Sequence, residues 1–99
     1  MNHPVVLLEE AARELGEATA YYDRIDAGLG DSFVENIDRA LDRIARGPRQ
    51  APIVFSTARI ALVERFPFVI VCEFTHERVR VLAIQHAHRD PAKWQGRVP

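Results

Sequence analysis

Cysteine is nearly missing from this chain: Cys72 is the single one in 99 residues. That excludes an internal disulfide and a zinc cage built from this chain's own thiols. Cys72 sits inside an apolar run, where a thiol acts as a small core hydrophobe. Long apolar stretches are missing as well. No run approaches the roughly 20 residues that span a bilayer, and no basic start leads through an apolar stretch to a small-residue cleavage site. Repeats and low-complexity tracts are absent. A cytoplasmic protein without membrane contact, cofactor or metal is the expectation. Net charge is also nearly absent, at −1, which argues against indiscriminate binding to nucleic acid.

The near-zero total hides an asymmetry. Up to Gly47, five arginines stand against ten carboxylates; from Pro48 onward, eight cations stand against four. The first half carries −5 and the second +4. Two readings fit: carboxylates tolerated on wet helix faces, or a second half that presents a cationic surface to a polyanion or an acidic partner. Seven of the eight later cations are arginines, whose fork suits carboxylate and phosphate. With 47% hydrophobic residues, residues 1–99 suit one domain, burying about 60–65% of the unfolded surface.

Val5–Leu8 predicts a first strand. From Glu9 to Ile25 the stripe Ala11, Leu15, Ala18, Tyr22, Ile25 steps by four and three, the period of an amphipathic helix. The glycines of Asp26-Ala27-Gly28-Leu29-Gly30 break it. Ser32 and Glu35 have capping-box spacing, so a second helix is expected from Asp31 to Arg46. Phe33, Ile37, Ala40 or Leu41, and Ile44 form its stripe, and Gly47-Pro48 stops it. The stretch from Pro48 to Ser56 reads as an irregular connection. Strands are expected at Arg59–Arg65, Phe68–Phe74 and Arg78–His86, the last two as a hairpin. Regular alternation puts Arg80, Leu82, Ile84 and His86 on one face of the last strand, and Val79, Val81, Ala83 and Gln85 on the other.

The result is an α+β domain of order β-α-α-β-β-β, a helical hairpin on one face of a mainly antiparallel twisted sheet. Its core should include Leu15, Tyr22, Phe33, Ile37, Leu41, Ile44, Ile70 and Leu82. The other sheet face is left for solvent or a partner. The last strand ends in His86-Ala87-His88-Arg89, with Trp94 and Arg97 following. Two imidazoles at His86 and His88 make no secure metal site. Trp94 suits an anchor packing the tail onto the sheet, or a stacking surface.

The element order, with Ala12, Glu14 and Leu15, Tyr21-Tyr22, Gly28-Leu29-Gly30-x-x-Phe33, Arg59-x-x-Leu62, Phe66-Pro67-Phe68 and His86-x-x-Arg89-Asp90-Pro91-x-x-Trp94, resembles the RelE/ParE family. These are toxins of bacterial type II toxin–antitoxin modules, of the plasmid-stabilisation kind. The resemblance covers roughly Val5 to Arg97. It implies a toxin held inactive by a cognate antitoxin in a hetero-oligomer, with one of two targets. ParE-like members stall DNA gyrase, whereas RelE-like members cut messenger RNA on the ribosome.

RNA cleavage would need proton transfer and a cation for the pentavalent phosphate. Under that reading His86, Arg59 and Arg89 are the catalytic candidates. Otherwise Arg65, His88, Trp94 and Arg97 are candidates for target contact. Several RelE-like nucleases end with Tyr or His-Tyr after the last strand, and this tail carries neither. That departure leans the expectation towards the ParE-like side. A non-toxic module that keeps the fold and the antitoxin grip is the third reading.

Overall fold

The computed structural model describes residues 2–99. The chain runs β1 (Val5–Leu7), α1 (Glu9–Ile25), α2 (Leu29–Arg46), a 3-10 turn (Pro48–Gln50), β2 (Ile53–Phe55), β3 (Ala58–Leu62), β4 (Phe68–Thr75), β5 (Arg78–His86) and α3 (Ala92–Gln95). Five strands form one sheet in the order β1-β5-β4-β3-β2. β1 lies parallel to β5 and the other pairings are antiparallel. The fold is α+β, with both long helices on one face of a mixed sheet.

α1 begins where expected, with Glu9 and Glu10 in its first turn and no side-chain cap; carboxylates there favour the positive end of the dipole. The start of α2 differs from expectation. It opens at Leu29, after Gly28 at φ 86°, so Ser32 and Glu35 lie inside the helix and form no capping box. Asp23, from the end of α1, instead accepts the Gly30 N–H at 2.8 Å. A side chain at position 30 would lie 2.5 Å from that carboxylate. Glycine is therefore required by the close approach of the two helices.

Phe33, Ile37, Ala40 and Ile44 of α2 and Ala11 of α1 pack on Val63, Ile70, Cys72, Val79, Val81 and Ile84 of the sheet side. Leu15, Tyr22 and Leu41 close the margin of this core half-buried. Burial pushes the Cys72 thiol up to about 11; neighbouring Glu73 adds to the shift and Arg59 opposes it. Such a thiol is unreactive at neutral pH.

Four further expectations are corrected. The connection after α2 contains a short edge strand, β2, whose register shifts between Ile53 and Phe55. The next strand stops at Leu62, and Arg65 sits in the following turn at φ 69°. The outer sheet face is not left bare: Trp94 packs there with Ala58, Val69, Val71, Leu82 and Ala83. Leu82 is thus buried, but on the face away from the helices.

The fourth correction concerns alternation in β5. Val71 pairs with Ala83 while its neighbour Cys72 pairs with Val81, so Leu82 has no partner on β4. One extra residue reverses the parity beyond it. Ile84 therefore joins Val79 and Val81 under the helices. His86 follows, its ring 5.8 Å from that of Phe68.

Candidate partner-binding groove at the end of the sheet

β1 is short and covers β5 only from Val79 to Val81. Beyond it, α1 and the far half of β5 stand apart, leaving a groove of about 550 Å³. Ala18, Tyr22, Ile25, Pro67, Phe68 and Ile84 give it an apolar lining, with Tyr21 at the rim. Tyr21 and Ile25 are 54% and 58% exposed, a large apolar surface to leave in water. The aromatic base is stiff: Tyr22 meets Phe33, Phe66 and Phe68 at centroid distances of 5.2, 4.9 and 6.0 Å. Burial, then the neighbouring Tyr21, raises the Tyr22 hydroxyl above its usual range, so it stays a neutral donor.

Four charged or titratable groups line the groove: His86, Arg89, Glu14 and Glu17. Arg97 engages Glu14 and Arg13 engages Glu17. Arg89 makes no ion pair among the described residues. The groove thus offers a free cation and no comparably free anion. Arg65 reaches the same end of the sheet as His86 through its turn, which is tied to the end of β5 by the bond from Ala87 N–H to Pro67 C=O at 2.8 Å.

His86 has a defined hydrogen-bonding role. Its Nδ1 accepts the His88 N–H at 3.2 Å, so the neutral ring carries its proton on Nε2. In that tautomer the ring presents Nε2–H as a donor. The His88 ring lies 5.5 Å away, centroid to centroid, and its residue is exposed. Among the described residues, no group of three or more metal-binding side chains occurs.

His86, His88, Arg89 and Arg65 therefore share one end of the sheet, while three other candidates lie elsewhere. Arg59 pairs with Cys72, four residues along β4 from the partner of His86, about 13 Å by the strand rise. Its guanidinium donates to the Arg49 and Ala51 carbonyls at 3.2 and 2.7 Å, clamping the 3-10 turn to the sheet. Trp94, 2% exposed, faces Phe55 at 6.0 Å on the outer face. Arg97 donates to both Glu14 oxygens at 3.0 Å; this bond, ahead of the opposing effect of burial, raises its already high pKa.

Sequence reasoning missed Glu14, Tyr21 and Ile25 as groove residues. An exposed Tyr-x-x-x-Ile pair one helical turn apart was the available signal. A second hollow, of about 470 Å³, lies between α2 and β3, where Arg43 donates to the Leu62 carbonyl at 3.1 Å.

A helical hairpin thus covers one face of a five-stranded mixed sheet, and beside it lies an apolar groove with a cation, Arg89, that makes no ion pair among the described residues. Residues 5–91 match the family described as ParE toxin of type II toxin-antitoxin system, parDE. The chain belongs to the ParE toxin family, and is a toxin of the type II toxin–antitoxin class. The match stops at Pro91, so Trp94 and Arg97 lie beyond it. No curated protein matches the sequence significantly. Twelve solved chains share the fold. One comes from a structure described as the chromosomal ParDE TA system from P. aeruginosa, with TM-score 0.76 and 17% identity over 85% of this chain and 95% of that one. At that identity the likeness speaks for the fold. No helix among the described residues is long and apolar enough to cross a membrane.

Proposed function

We propose that this ParE-family toxin is held by a cognate antitoxin lying in the groove between α1 and the end of β5, and that its cytoplasmic target is DNA gyrase. The observation that carries the antitoxin reading is the groove itself, with Tyr21 and Ile25 exposed beside an Arg89 that makes no ion pair among the described residues. An apolar segment bearing a carboxylate satisfies both halves of that surface.

The gyrase reading is supported by family membership and by the state of the strand end. RNA cleavage needs a base near the 2′-hydroxyl. His86 has Nδ1 occupied, and Arg59 is bonded to carbonyls two strands away. The ribosome-dependent nuclease remains the second reading, because Arg65, His88 and Arg89 do gather at one end of the sheet.

Induced expression in a bacterium decides among the readings. Growth arrest with broken or relaxed DNA and intact transcripts is expected, with rescue by the protein encoded alongside. Arrest with transcripts cut at ribosome-engaged codons favours the nuclease. Unimpaired growth at high expression, with binding to the neighbouring protein retained, favours a non-toxic module.

A further inference from the structure

The register change in β5 is what turns His86 towards the groove, and something must hold it. Where β1 covers β5, ordinary strand bonds suffice: Val79 N–H donates to Pro4 C=O at 2.8 Å, and Leu8 N–H donates to Val81 C=O at 3.0 Å. Past that point β1 has ended, yet β5 still directs backbone groups outwards. Two of them meet side chains. Ile84 N–H donates to Glu14 at 3.1 Å, and Arg97 donates to Leu82 C=O at 2.8 Å. The same two side chains are forked to each other at 3.0 Å in both bonds, and are 16% and 15% exposed. An acceptor thus meets the outward N–H and a donor meets the outward C=O, on either side of the extra residue's disturbance of the ladder. Glu14 comes from α1 and Arg97 from beyond α3, 83 positions later in the sequence.

We propose that Glu14 and Arg97 are positioning residues, which together lock β5 into its bulged register and so keep Ile84 and His86 turned towards α1. Removing the lock leaves a buried donor and a buried acceptor without partners. The alternative open to the strand is regular alternation, which moves every residue past the slip to the opposite face. Ile84 and His86 then leave the groove, and Ala83 and Gln85 replace them. What His86 does there rests on the antitoxin reading above. Its orientation does not.

An exchange of the two side chains separates positioning from simple ion pairing. Glu14→Arg with Arg97→Glu preserves opposite charges, but sets a donor against Ile84 N–H and an acceptor against Leu82 C=O. Glu14→Gln removes the charge and keeps an acceptor. Nuclear magnetic resonance on the full chain reads both outcomes, through Ile84 amide exchange and through the His86 ring signals beside Phe68. In Glu14→Gln both should stay close to native. In the exchanged pair Ile84 should exchange about 100-fold faster, with His86 out of the Phe68 ring current and antitoxin affinity reduced as far as in His86→Ala. Native exchange and native His86 signals in the exchanged pair would overturn the proposal.

If the exchanged pair does not fold, Arg97→Lys carries the test, since an ammonium offers its donors from one nitrogen and lacks the planar fork that holds both Glu14 oxygens as well as the carbonyl. Ile84 exchange about tenfold faster with displaced His86 signals is expected, and an unchanged spectrum at both sites overturns the proposal. Neither resonance readout needs a partner. Failure of the antitoxin reading would therefore show as absent binding to the native chain, with the resonance result still deciding the role of the pair.

Discussion

The end of the sheet and the tail that follows it are built from similar residues and put to opposite uses. At the strand end, Arg65, His86, His88 and Arg89 are exposed or half-buried and make no ion pair among the described residues. A few residues on, Trp94 and Arg97 are covered, with Trp94 2% exposed and Arg97 engaged by Glu14 and Leu82. An arginine or a tryptophan does not announce its employment. What decides is whether a complementary group lies within reach in the folded chain, and for Arg97 that group comes from the first helix.

The comparison breaks first on stability. Trp94→Ala should cost about 3–5 kcal/mol, the usual range for truncating a buried large aromatic. The urea midpoint should fall accordingly, and a loss under about 1 kcal/mol would mean the tail merely rests on the sheet. Arg97→Ala comes next, at about 3 kcal/mol, the lower end for breaking a buried pair because both side chains keep some solvent contact.

Alkaline pH gives a further, smaller effect. The Cys72 thiol stands at about 11 against an ordinary 9.0, so the unfolded chain loses this proton first. Its contribution is complete below about pH 9 and disappears as pH rises through about 11. Melting temperature should fall across that window, and less steeply in Cys72→Ala. The half-buried Tyr22 hydroxyl acts in the same direction at higher pH.

Smallest in stability and largest in function are the strand-end changes. Arg65→Ala and Arg89→Ala should move the unfolding free energy by no more than about 0.5 kcal/mol. Arg89→Ala should nevertheless weaken antitoxin binding and flatten the fall of its association rate with salt. An Arg89 variant that unfolds easily, or an association rate indifferent to ionic strength in the native chain, would erase the distinction between the two regions.

Much of the fold was legible in local pattern. The stripes from Ala11 to Ile25 and from Phe33 to Ile44 repeat at helical spacing, and the β4–β5 run is apolar and β-branched. What escaped is what depends on distant residues. The start of α2 is set by Asp23 across the loop and not by Ser32, and β2 exists because β3 lies beside it. The Leu82 bulge is supported by side chains that no window around β5 contains. The groove was legible only where β5 ends, since its aromatic wall belongs to α1 and acquires meaning when β1 ends early. Arg59 and Arg97 resembled functional cations for the same reason: their carbonyl and carboxylate partners lie at other positions in the sequence.

The parallel pairing of β1 with β5 also carries a schedule. Val5 must wait for Val79, and Glu14 for Arg97, so the first strand emerges from the ribosome long before its neighbour exists. The helices and the β3–β4–β5 meander can form as they appear, but the sheet edge and the aimed His86 are completed only after nearly the whole sequence has been synthesised. Pairings so distant in sequence are slow to close. A newly made toxin therefore passes through an interval in which its groove is unfinished, and a partner translated nearby has that interval in which to reach it.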